Sequence, residues 1–180
     1  GLPRADDPNS WYADPAQSGG VVLDLIIHDF DWLRWTFGPV ERVFAKGLYG
    51  KPNYVGQMDY ALVTLRFVSG AMAHVTGSWA HPSGFRTTLE IAGDSGLIEH
   101  DSAASVPLTV ARKGSSGGKA VSESPLAADQ NPFFLQLSAF VRALRDGVPP
   151  PVTVYDAREA ARIALAALES IETGKAVPLT

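Results

Sequence analysis

Apolar residues crowd the stretch from Val21 to Phe37, with Ser18, Gly19 and Gly20 before it and Gly38-Pro39 after it. Punctuation at both ends of an apolar run predicts a helix over about 20–37, with Ser18 as its N-cap. From Val40 the period becomes two. Val40–Tyr49, Met58–Val68 and Ala71–Trp79 read as strands, the last two joined by a Ser69-Gly70 turn. Thr87–Ala92 and Leu97–His100 flank a Gly93-Asp94-Ser95-Gly96 turn as a second hairpin, and Leu108–Arg112 adds a strand. In the second strand Ala61, Val63, Leu65 and Phe67 make one apolar face, while Tyr60, Leu62, Thr64 and Arg66 make a mixed face suited to solvent or to a partner. Two helices follow, Pro132–Asp146 and Val154–Thr173, separated by the Gly147-Val148-Pro149-Pro150-Pro151 break. The second carries Ala160, Ala161, Ala164, Ala167 and Leu168 at helical spacing, with Gly174 as its stop.

One helix, a run of strands and then helices predicts an α+β fold, a mainly antiparallel open sheet with helices on one face. Residues 1–180 are expected to form a single domain. Residues 1–18 lack periodicity and contain three Pro, which predicts an extended arm. Lys113–Ala120 is a flexible loop by composition.

Composition narrows the function classes. With 46% hydrophobic residues and a net charge of only -4, the chain is not a disordered one. The absence of Cys excludes disulfide scaffolds, thiolate zinc sites and cysteine nucleophiles. Fifteen Lys plus Arg against 19 Asp plus Glu give no basic stripe, so neither nucleic acid nor an anionic membrane surface is an expected partner. The first twenty residues are polar and carry no secretory pattern, and Asp24, His28, Asp29, Asp31 and Arg34 interrupt the longest apolar stretch, so no membrane span is expected. A cytoplasmic location and small-molecule or protein partners are the expectation.

Chemistry concentrates in the first helix. At about 100° per residue, Asp24, His28 and Asp31 share a stripe about 60° wide, while apolar residues take most of the remaining circumference. Such a helix is expected to be mostly buried, and a buried ionisable stripe is costly unless it is paired or lines a cleft. Asp24 and His28, four apart, can address one ligand, the carboxylate orienting an imidazole that accepts a proton near neutral pH. An ordinary helix-surface pair is the bland alternative, and a metal site completed by His81 or His100 lacks a third ligand at diagnostic spacing. Gly19 and Gly20 either offer amides to a polar ligand or let the arm approach the sheet closely. His81, before Pro82, sits where a loop reaches a cleft or simply meets solvent. His74 reads as a surface or interface residue. Trp11 pins the arm to the core or stacks on a ligand.

The segment from Ser18 to Gly38, with its Gly-Gly entry, Asp24, three residues, His28 and an apolar helix ending in Gly, resembles a signature of the glucose-fructose oxidoreductase, inositol dehydrogenase and rhizopine catabolism (Gfo/Idh/MocA) family. The ending from Ala167 to Leu179 is similar to that family's last helix and terminal strand, and the hairpins between resemble its C-terminal, dihydrodipicolinate reductase-like domain. The resemblance implies that His28 is the proton acceptor or donor beside a nicotinamide. It implies that Asp24 positions substrate or His28, and that Gly19, Gly20, Trp11 and His81 are candidate substrate-binding residues. It also implies NAD or NADP as cofactor of a longer enzyme, a sugar, inositol or related polyol as substrate, and a homo-oligomer formed through the open sheet face. The family's Rossmann domain is missing from these 180 residues, which contain no strand followed by G-x-G-x-x-G. The Glu-Lys-Pro segment whose Lys assists catalysis in relatives is missing as well, and Gly50-Lys51-Pro52 does not replace it. The chain alone is therefore expected to bind no dinucleotide and to turn nothing over. The alternative is a stand-alone, non-catalytic ligand-binding or assembly domain.

Overall fold

The computed structural model describes residues 11, 14–49, 58–79, 85–103, 108–112, 121–123 and 132–179. They fall into two compact units, one of residues 1–80 and 149–180 and one of residues 81–148.

The first unit opens with the helical turn α1 (Pro15–Ser18), then a π-helical segment at Val22–Ile26 that runs directly into α2 (Ile27–Phe37). Strands β1 (Val40–Tyr49), β2 (Met58–Phe67) and β3 (Met72–Ser78) follow. After the second unit the chain returns with α4 (Val154–Thr173) and the short β8 (Val177–Pro178). The sheet order is β3-β2-β1-β8, antiparallel throughout, with Val43 opposite Leu65 and Ala45 opposite Val63.

Period-two patterning decides which sheet face is covered. Val43, Ala45, Ala61, Val63, Leu65, Phe67 and Val75 are buried in one core with Val22, Ile26, Phe30 and Leu33 of the first helix and Ile163, Ala164 and Ala167 of α4. Phe44, Lys46, Leu62, Arg66, Met72 and His74 alternate with them along the strands and are exposed. Small residues let backbones approach at two places. A Cβ on Gly77 of β3 would stand 2.5 Å from the Ile26 Cγ1, so the absence of that atom seats the π-helical segment against the sheet. The alanine face of α4 brings that helix close to α2 and β1 in the same way.

Polar groups fix the ends of α4. Thr153 caps its start in a reciprocal box with Asp156, and the Gly174 N–H donates to the Ser170 carbonyl at 2.9 Å. Ser170 is fully buried, yet both of its roles are filled. Its Oγ accepts from the Ala45 N–H at 2.9 Å and donates to the Lys175 carbonyl at 2.6 Å, tying α4 to the middle of β1.

In the second unit β4 (Thr88–Gly93), β5 (Gly96–Asp101), β6 (Leu108–Arg112) and β7 (Val121–Glu123) pair consecutively and antiparallel, and α3 (Pro132–Asp146) follows. The Arg86 Nε donates to Asp101 at 3.0 Å, and that bond, with the Ala103 N–H, lowers the Asp101 carboxyl to about 2.

The α+β antiparallel reading holds, and the helices of the first unit cover one sheet face. Among the described residues the strands divide between two four-stranded sheets, because β1 takes β8 as its second neighbour while β4 to β7 pair with one another. The visible part of the arm is helical rather than extended. Asp14 caps α1 by accepting from the Ala16 N–H at 2.9 Å, and Pro15 occupies the first helical position. The 113–120 loop and most of the arm lie outside the described residues.

Two half-buried carboxyls are held low by their partners: Asp101 by Arg86, and Asp156, lowered from 3.8 to about 2, by Thr153 first and then Arg34. A lowered folded-state pKa means the unfolded chain binds the extra proton first as pH falls, so this stability is complete above about pH 4 and is lost towards pH 2. We predict that the melting temperature falls through that window and that Asp156→Asn makes the fall shallower. An equally steep acid transition in Asp156→Asn would show that these groups do not set it.

Candidate active site

The first helix supplies the site, and its local geometry departs from a uniform α-helix. Residues 22–26 are π-helical, a single wide turn of the kind that recurs at functional sites. In an ideal α-helix His28 leads Asp24 by about 40° around the axis. A wider turn advances fewer degrees per residue and so brings Asp24 and His28 closer to one line. The turn is held from two sides, by Ile26 against Gly77 and by Leu23 against Gly19, where a Cβ would stand 2.6 Å from the Leu23 Cβ.

Gly19 and Gly20 both have positive φ, +76° and +69°, and the Gly20 N–H donates to the Ser18 Oγ at 3.1 Å. Ser18 ends α1 and holds the glycine turn, but it is not the N-cap that its sequence position predicts: the left-handed Gly19 and Gly20 intervene, and the next helical segment starts with no side-chain cap hydrogen bond. Backbone conformation and the Leu23 contact account for the glycine pair without a ligand.

Burial overturns one expectation. The helix is not mostly buried. Val21, Val22, Ile26, Phe30 and Leu33 are buried in the core, while His28, Asp29, Trp32 and Trp35 are exposed and Asp24 and Asp31 half-buried. Trp35 is 79% exposed and Trp32, expected on the apolar circumference, is 37% exposed, so both indoles lie on the outward face. The acid–histidine–acid line is thus presented outward, and it is flanked by indole rings. The His28 side chain makes no hydrogen bond among the described residues, which leaves an exposed imidazole one turn beyond a carboxylate. That arrangement can accept a proton from a hydroxyl or return one.

Asp29, next to His28, was not singled out by pattern. Desolvation by its surroundings pushes its carboxyl above the usual range, and the charge of His28 acts in the opposite direction. Asp59, at the start of β2, is a buried carboxyl that desolvation also pushes up. Neither gives a periodicity signal, because each depends on what the fold packs around it.

The remaining predicted site residues are dispersed or out of view. Trp11 is 54% exposed. His81 lies outside the described residues, as does Gly50-Lys51-Pro52. His74 is exposed on β3 with its Nδ1 3.1 Å from the Thr64 Oγ1, and His100 in β5 has its Nε2 3.3 Å from the Thr87 Oγ1. Among the described residues no group of three or more His, Cys, Asp or Glu is arranged to hold a metal ion. A groove of about 340 Å³ at the other end of α2 is lined by Arg34, Tyr155, Arg158, Glu159 and Arg162, and includes none of the predicted site residues. Its arginines are engaged, Arg34 with Asp156 at 2.9 Å and Arg158 and Arg162 with Glu159 at 2.7 and 2.8 Å.

Comparison with known proteins gives these features a context. The chain is 31% identical to the myo-inositol 2-dehydrogenase of Thermotoga maritima over 90% of its own length and 50% of the relative's. It is 30% identical to the scyllo-inositol 2-dehydrogenase (NAD(+)) of Bacillus subtilis over 93% of this chain and 51% of that one. The crystal structure of a probable dehydrogenase from Thermotoga maritima superposes with a TM-score of 0.73 at 30% identity, covering 93% of this chain and 51% of the other. The chain thus spans about half the length of the relatives it matches. The profile of the GFO/IDH/MocA C-terminal domain matches residues 1–99, which include the glycine entry, Asp24, His28 and the first three strands, and the chain belongs to the GFO/IDH/MocA family through that domain.

Proposed function

We propose that this chain is the substrate-binding and acid–base half of an NAD(P)-dependent oxidoreductase acting on an inositol, a sugar or a related polyol. The observation that carries the reading is the outward placement of His28, exposed and one turn beyond Asp24, on a helix whose opposite line is locked into the core. The relatives named above support it, two of them being inositol dehydrogenases and one of these NAD(+)-dependent by name. They do not favour the stand-alone binding module.

The chain's own residues do not fit a dinucleotide. Every strand pairing among the described residues is antiparallel, so there is no parallel βαβ crossover to cradle a pyrophosphate, and the sequence has no Gly-rich fingerprint. Binding the cofactor would therefore fall to a separate dinucleotide-binding half, whose nicotinamide, when bound, would supply the hydride chemistry. This chain holds the substrate and handles the proton. In the oxidation direction a ring nitrogen of His28 accepts the hydroxyl proton as the alcohol becomes a carbonyl, and in reduction His28 returns it. Asp24, brought towards the same line by the wide turn, orients the imidazole or accepts a hydrogen bond from a neighbouring substrate hydroxyl. Gly19, Gly20 and Trp11, all of the first unit, are the substrate-binding residues of this reading. No helix among the described residues is long and apolar enough to cross a membrane, and the protein is proposed to act in the cytoplasm.

Assembly belongs to the same proposal. The exposed face of β1 to β3 sets Phe44, Leu62 and Met72 among Arg42, Lys46 and Arg66. Exposed apolar surface within a basic rim favours a partner that covers it, here a second copy, across an interface of more than about 1,000 Å². Sedimentation at tens of micromolar is expected to give a dimer or a larger homo-oligomer that Leu62→Glu disperses. A wild-type monomer would refute this arrangement.

In the complete oxidoreductase His28→Ala is expected to lower turnover by about 10² to 10⁴-fold, the range for loss of a general acid–base group. Folding should be largely kept, because the side chain is exposed. Asp24→Asn should lower turnover less, and Asp31→Asn least. Steady-state kinetics on a panel of inositols and aldoses, run beside thermal melts, checks this. Normal turnover by folded His28→Ala would remove the histidine from the mechanism.

A further inference from the structure

We propose that Arg34 and Asp156 are positioning residues for His28, an inference that rests on the acid–base reading of that histidine. The two lie 122 residues apart in sequence, and the Arg34 Nη1 meets the Asp156 Oδ1 at 2.9 Å. Arg34 is on α2, six residues beyond His28 and about 120° around the helix axis from it. Asp156 is on the first turn of α4.

The Asp156 carboxylate divides its oxygens between two tasks. Oδ2 accepts from the Thr153 N–H at 2.9 Å and from the Thr153 hydroxyl at 2.6 Å, while Oδ1 takes the guanidinium. The carboxylate is thus already fixed by the helix cap when it receives Arg34. Exposed ion pairs commonly contribute little because two long side chains must be ordered to make them. Here one partner is ordered beforehand, and both side chains are about three-quarters or two-thirds covered, at 26% and 32% exposure.

The constraint this bond adds differs in kind from the packing around it. Val22, Ile26, Phe30 and Leu33 hold the helix to the core through non-directional contact, which resists separation more than it resists rolling. A charge-assisted hydrogen bond on the flank of α2 is directional and opposes that roll. A roll of about 10° carries a side-chain tip at the helix's outer radius of about 6 Å through about 1 Å. A displacement of about 1 Å at reacting groups can cost about 10²-fold in rate. The bond lies on the opposite end of α2 from the chemistry, so its effect on turnover passes through the orientation of the helix.

Kinetics of the complete oxidoreductase with Arg34→Met, Arg34→Lys, Thr153→Ala and His28→Ala test this, each paired with a thermal melt. Arg34→Met is expected to lower kcat by about 10- to 100-fold well below its melting temperature, with the dinucleotide KM unchanged, and Arg34→Lys to fall between it and wild type. Thr153→Ala removes the cap hydroxyl but leaves the Thr153 N–H and the Arg34 pair, so it should lower the melting temperature while keeping kcat within about twofold. A structural role alone would move only the melts. Full kcat in folded Arg34→Met, or a kcat loss in Thr153→Ala as large as that in Arg34→Met, would overturn the proposal. If Arg34→Met does not fold, Arg34→Lys decides: reduced kcat with its melt retained supports the role, and unchanged kcat refutes it. Normal turnover by His28→Ala would overturn the acid–base reading and this inference with it, whereas an inactive His28→Ala beside a normal Arg34→Met would overturn the positioning role alone.

Discussion

The fold of the first unit turns on one constraint, that a helix packed on a sheet by an apolar face must present its opposite side outward. Val21, Val22, Ile26, Phe30 and Leu33 are the buried residues of that face, and Gly77 is the gap in β3 that lets Ile26 reach the sheet. Burying side chains of this size is worth about 1.5–3 kcal/mol each, far more than any rearrangement of surface charge could offset. His28 is therefore exposed because its neighbours along the chain are not. The same core that stabilises the unit decides which chemical groups of this helix face outward.

Division of labour follows from the architecture. The antiparallel sheets of the described residues offer no phosphate-binding crevice, and under the proposed function the chain contributes substrate walls, a proton-transfer group and an exposed sheet face. Ser170 and the Thr153–Asp156 cap hold the two ends of α4, and α4 in turn supports the helix that carries His28. Stability and site geometry share these residues, which is why variants there must be read by kinetics and melting together.

Much of this was legible in the sequence where a residue's role depends on its own period. Ala61, Val63, Leu65 and Phe67 alternate, and all four are buried; Tyr60, Leu62, Thr64 and Arg66 are each more exposed than their neighbours. The run from Gly20 to Phe37 and the alanine face of the last helix formed as their spacing requires. What pattern did not reveal depends on the third dimension. A π-helical turn leaves no mark in a periodicity measured at 100° per residue, and counting Trp32 with the apolar residues helped to make the helix look buried. Arg34 and Asp156 are joined only by the packing of α2 on α4. The Ser170 hydroxyl reads as an ordinary polar residue near a helix end until β1 supplies its donor. Asp14-Pro15 did carry a signal, a cap before a proline at the first helical position, that the three prolines of the arm obscured. The assignment of Asp24 and His28 as a site came from a family resemblance in addition to spacing, since spacing alone equally describes a surface pair.

The central claim is that the outward line of this helix faces the reacting carbon. A crystal structure of the chain joined to its dinucleotide-binding half, with reduced or oxidised nicotinamide and a cyclitol bound, measures that directly. The account predicts a ring nitrogen of His28 within about 3.2 Å of the hydroxyl or carbonyl oxygen on the carbon next to the nicotinamide, with Asp24 beside it. A complex in which substrate and nicotinamide meet elsewhere, and His28 points into bulk solvent, would contradict it.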